Sequence, residues 1–61
     1  MTYDVVAVNI STSTVRVIGT NKSKENAEAI VSMAVMQRGV EEEFFAEVKT
    51  GAYKTCDAWK G

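Results

Sequence analysis

Sixty-one residues with seven basic and eight acidic side chains, a net charge of −1, leave room for one domain and one small core. A chain of this size buries only about 60% of its unfolded surface, and small domains usually compensate with disulfides, metals or oligomerisation. The single cysteine, Cys56, excludes an intramolecular disulfide. The absence of histidine removes the commonest zinc ligand and general base, so self-association is the aid that remains. The balanced charge gives no strong field toward DNA, a membrane or a polycationic partner.

The chain begins MTYDVV, with no basic segment leading into a long apolar one, so neither a signal peptide nor a membrane span is expected. One free thiol fits a reducing compartment, and a cytoplasmic location is the expectation. Tyr3–Ile10, YDVVAVNI, reads as a strand rich in β-branched residues. Val5 and Ala7 point one way while Val6, Val8 and Ile10 point the other. Apolar on both faces, this strand belongs at the centre of a sheet or under a partner. Ser11–Ser13 supplies a polar turn, and Thr14–Gly19 then alternates, with Val15 and Val17 on one face and Arg16 and Ile18 on the other. Thr20–Lys22 reads as a loop.

Ser23–Arg38, SKENAEAIVSMAVMQR, has the start and stop signals of a helix. Ser23 is the N-cap candidate, with Asn21 a second one. Glu25 and Glu28 suit the positive end of the helix dipole and Lys24 opposes it. Gly39 can end the helix in a left-handed conformation, with Val40 reaching back to Val35. At about 100° per residue, Ala27, Ile30, Val31 and Ala34 form an inner stripe that Val35 widens and the stem of Arg38 extends. Ala29, Met33 and Met36 fall together on the opposite side. Such a patch is either a scatter of surface residues, a dimer seam or a contact for another protein.

Glu41–Glu43 reads as a solvated acidic loop, with a patch facing a basic partner surface as the second reading. Phe44–Thr50 reads as a third strand with Phe44, Ala46 and Val48 toward the helix and Phe45, Glu47 and Lys49 away from it. The remainder, AYKTCDAWKG, carries Tyr53 and the only tryptophan, Trp59, either a lid on the core or an anchor for a contact. The order ββαβ predicts an α+β domain over residues 1–61: a three-stranded antiparallel-type sheet in the order 2-1-3, with one helix on a face. Strand 3 would reach its place through a right-handed crossover. One helix covers one face, so the other face is expected to need a partner.

No catalytic, cofactor or metal site is expected. No serine sits in a nucleophile elbow and no phosphate-binding glycine loop is present. Cys56 beside Asp57 lacks a base and reads as a small inert side chain. Arg16, Lys49, Phe45, Tyr53 and Trp59 could form a stacking platform for nucleic acid, but the basic–aromatic strand motif of RNA-binding sheets is missing.

The run NAEAIVSMAVMQRGVEEEFFAEV followed by GAYKTCDAW resembles the small accessory proteins of tailed bacteriophages, over roughly residues 21–59. The resemblance implies a compact cytoplasmic protein built from a hairpin, a helix and a further strand. It also implies a function of binding and blocking a host protein, such as RNA polymerase or an antiphage defence component. The expected partners are a second copy of the chain and a host protein, with Ala29, Met33, Met36, Phe45 and Trp59 as contact residues. Alternatives are a small nucleic-acid-binding accessory protein and a structural or assembly factor.

Overall fold

The computed structural model describes residues 1–37 and 43–60. Strands β1 (Tyr3–Asn9) and β2 (Thr14–Lys22) form a hairpin; helix α1 (Lys24–Gln37) follows, and strand β3 (Glu43–Lys49) completes the sheet. The strand order is β2-β1-β3, with β1 antiparallel to both neighbours. The architecture is therefore the expected α+β fold with the first strand in the centre. Val5, Val6 and Ala7 are wholly buried and Val8 nearly so; the two-sided apolarity of the strand reflects two covered faces.

The first turn is built by a polar side chain. After β1, the Asn9 carboxamide oxygen accepts hydrogen bonds from the Ser11 and Thr12 amides at 2.9 and 3.1 Å. The Ser13 amide closes the loop on the Asn9 carbonyl at 2.7 Å, with Ser13 itself at a φ of 55°. Ile10 lies past the strand end and is exposed. The second strand runs on through Lys22, where a loop was expected from Thr20, by way of register shifts opposite Tyr3–Val6. Irregular pairing lets the strand turn and twist without leaving the sheet.

Ser23 caps the helix: its hydroxyl oxygen accepts from the Asn26 amide at 3.2 Å and its carbonyl from the Ala27 amide at 2.8 Å. Ala27 is fully buried, while Ile30, Val31 and Ala34 are half-buried, which is the expected inner stripe. Val35 does not widen it; this side chain is exposed. The expected stop at Gly39, with Arg38, Val40, Glu41 and Glu42, lies outside the described residues. Glu43, assigned by sequence to the acidic loop, is the first residue of β3 and meets Arg16 at 3.3 Å.

The helix packs on the face that carries Val5. An added Cβ at Gly19, the cross-strand partner of Val5, would lie 3.2 Å from the Ile30 Cδ1 and 3.7 Å from the Val5 Cβ. Small residues at Ala7, Gly19 and Ala27 let helix and sheet approach closely. Opposite residues in an antiparallel pair share a face, so the pairs Val5–Glu47 and Ala7–Phe45 put Phe45 on the helix side. The pairs Val6–Ala46 and Val8–Phe44 put Phe44, Ala46 and Val48 on the other side. This reverses the expected facing of the third strand. The sequence alternation gives two apolar parities, because Phe44 and Phe45 are adjacent, and hydropathy does not choose between them.

The second face is covered from within the chain. Val6, Val8 and Val15 form a buried cluster against which Val17, Phe44, Ala46, Val48, Tyr53 and Trp59 pack. The segment after β3 crosses this face and returns along the outer edge of β2, where Thr14 and Ala58 form an antiparallel bridge. Its backbone bonds are continuous with that edge: Val15 N–H to Asp57 O at 2.8 Å, Cys56 N–H to Val15 O at 2.8 Å and Trp59 N–H to Ser13 O at 2.7 Å. The expectation that this sheet face needs a partner is therefore corrected.

Candidate functional site: the outer face of the helix

With both sheet faces covered, the most exposed large apolar side chains of the helix stand out. Met33 is 58% and Met36 85% exposed. Ala29, Met33 and Met36 follow one another at helical spacings of four and three residues, so they form a ridge on the side away from the sheet. Val35, about half exposed, lies at the border of the inner stripe next to Val31 and apart from that ridge. The helix holds its inner stripe against all three strands, which fixes the direction in which the ridge points. Methionine is unbranched and polarisable, and suits contact surfaces that must adapt to a partner.

The other two expected contact residues lie elsewhere. Phe45 is half-buried on the helix side of the sheet. Trp59 is half-buried on the opposite side, stacked on Tyr53 at a centroid distance of 5.2 Å and edge-on to Phe44 at 5.5 Å. The structure thus brings Ala29, Met33 and Met36 together and separates them from Phe45 and Trp59. It also disperses the residues named for a nucleic-acid platform. Arg16 and Phe45 belong to the helix side, with the Arg16 guanidinium directed at Glu43; Tyr53 and Trp59 spend their ring faces on each other.

Two polar arrangements were missed by sequence reasoning. Asp4 is only 4% exposed, and its carboxylate oxygens accept from the Asn21 amide at 2.9 Å and the Gly51 amide at 3.0 Å. Both donors sit at positive φ, 55° and 84°, so the carboxylate fixes the exit of β2 and the entry to the tail. A lone acidic residue inside an apolar strand run is the signal that could have found it. The second arrangement is the turn Lys54–Asp57. There the Asp57 amide donates to the Lys54 carbonyl at 3.0 Å and the Asp57 carboxylate accepts from the Lys54 amide at 2.8 Å. Cys56 occupies this turn at a φ of 79° and is exposed.

A shallow groove of about 320 Å³ lies over the tail, lined by Ala52, Tyr53, Asp57, Ala58 and Lys60. Its polar groups serve the local backbone, since the Tyr53 hydroxyl accepts from the Lys60 amide at 3.3 Å and Asp57 holds the turn. Among the described residues, no three Cys, Asp or Glu side chains are grouped to hold a metal ion, and no helix is long and apolar enough to cross a membrane. No protein-family model, curated protein or solved structure matches the chain.

Proposed function

We propose that this chain is a non-enzymatic binding protein that uses the outer ridge of its helix to occlude or redirect another protein. The observation that carries this reading is the exposure of Met33 and Met36 on a helix whose opposite side is committed to the core. A ridge of this kind gives apolar contact area at a fixed orientation, and the resemblance of residues 21–59 to phage accessory proteins favours a host-cell protein as its target. Self-association is part of the reading, because a domain of this size gains stability from a second copy.

The test uses Met33→Glu and Met36→Glu. Both side chains are solvent-facing, so each variant is expected to keep its circular dichroism spectrum and to lose less than about 0.5 kcal/mol of stability. Retention of a stoichiometric protein from a bacterial lysate by the wild type, and its loss from both variants, is the expected outcome. Unfolding of Met33→Glu to the extent of a core truncation would make the ridge ordinary core and end the proposal. Retention of nucleic acid that is released at moderate salt would favour the accessory-protein alternative.

A further inference from the structure

The two outer edges of the sheet are treated differently. The β2 edge is irregular in register and covered by the tail through three backbone hydrogen bonds. The β3 edge is regular: Tyr3–Asn9 pairs with Glu43–Lys49 without a shift, and β1 is the only sheet neighbour of β3 among the described residues. Glu43–Lys49 contains neither proline nor glycine. Natural sheets blunt exposed edges with proline, bulges, covering segments or charged side chains; β3 has no proline or bulge, and its charges, Glu43, Glu47 and Lys49, are of both signs and can pair with one another across a seam.

We infer that β3 pairs antiparallel with β3 of a second copy, about a two-fold axis through Ala46. Two-fold symmetry requires that if residue i faces j, then j faces i, and opposite side chains must share a sheet face. The axis therefore passes through a residue, and few choices exist. Centring on Phe45 sets Glu43 against Glu47 of the second copy twice, and centring on Glu47 sets that residue against itself. Like charges directly opposite are destabilising. Centring nearer either end leaves most of the strand unpaired. Centring on Ala46 aligns all seven residues. It sets Glu43 against Lys49, Phe44 against Val48 and Phe45 against the stem of Glu47, with the smallest side chain on the axis. Glu43 already meets Arg16 within its own protomer, and Lys49 of the second copy brings a further cation to that carboxylate.

The consequence for function follows from the direction of the axis. A two-fold axis perpendicular to the sheet fuses two three-stranded sheets into one of six strands and keeps both helices on the same side. The dimer would then present two Met33–Met36 ridges in one direction. This inference rests on the self-association in the proposed function, but not on the helix contact, and the two fail separately.

The experiment combines sedimentation equilibrium with amide exchange on the full chain across the micromolar range. A dimer mass is expected, with the outward-facing amides of β3 exchanging more slowly as concentration rises. Lys49→Glu replaces two attractive pairs by two repulsive ones at an exposed position, and should raise the dissociation constant about tenfold while leaving the far-ultraviolet circular dichroism spectrum unchanged. In a Cys56→Ser background, Ala46→Cys should cross-link to a covalent dimer on mild oxidation. A monomer at every concentration would overturn the seam and leave the helix contact standing. So would a dimer indifferent to Lys49→Glu but dissociated by Met33→Glu, which would move the seam to the helix.

Discussion

The two faces of the sheet solve the same problem by different means. On one, a fourteen-residue helix settles onto Val5, Ala7 and Gly19, and closeness of approach supplies the packing. On the other, no regular element is present among the described residues; Tyr53 and Trp59 lie over Val6, Val8, Val15 and Phe44, held there by backbone bonds to the edge of β2. The first cover derives its stability from an amphipathic stripe. The second needs few residues, because two aromatic rings bury large areas and their segment borrows a sheet edge for its hydrogen bonds. The difference teaches that a chain of this size can close a two-sided sheet alone, which moves its unmet apolar surface to the back of the helix.

Breaking the tail cover should have the largest effect. Trp59→Ala removes the ring that touches both Tyr53 and Phe44, and is expected to cost about 3 kcal/mol. In thermal melts that corresponds to a fall in Tm of at least about 10 °C. A melt unchanged from the wild type would mean that the valine cluster needs no lid. Slightly smaller is the effect expected for Asp4→Ala, about 2–3 kcal/mol, since the Asn21 and Gly51 amides both lose a charged acceptor. Asp4→Asn, which keeps one acceptor oxygen, should recover part of that loss in denaturant titrations. Equal losses for the two variants would show that the clamp does not guide the tail.

On the helix side, Ile30→Ala deletes a half-buried side chain that meets Gly19. Its cost is expected near 2 kcal/mol, at the low end for a large-to-small change because the site is partly open. A cost above that of Trp59→Ala would reverse the ranking of the two covers. The smallest effect belongs to the turn that steers the tail. Cys56→Ser should shift stability by less than about 0.5 kcal/mol, because the thiol is exposed and the backbone at φ 79° is unaltered. Urea unfolding of the two proteins side by side would expose any larger role for the thiol.

Much of the helix side was legible in the sequence. The serine cap, the stripe through Ala27, Ile30, Val31 and Ala34, and the central place of YDVVAVNI all follow from periodicity and capping chemistry. The tail was not legible because its order comes from contacts distant in sequence: Val17 N–H to the Thr55 hydroxyl at 3.3 Å, and the bridge from Thr14 to Ala58. A segment held in this way has no period of its own. Sequence reasoning found the polar turn at Ser11–Ser13 but not its geometry: Ser13, Asn21 and Cys56 take positive φ, and Asn9 supplies the acceptor in the first loop. Of the five named contact residues, the helical three were readable as one ridge. Phe45 and Trp59 were harder to place, because their faces depend on which cover lands on which side.

The position of Trp59 gives the chain an internal optical reporter. It is the sole indole, it lies against a phenol and a phenyl ring, and the segment bearing it attaches to the sheet edge near its own end. Its emission therefore follows the seating of the tail, while far-ultraviolet ellipticity follows α1. If the tail lifts before the helix melts, the two signals will separate on heating, and the gap between their midpoints will measure how tightly the closing segment is coupled to the rest.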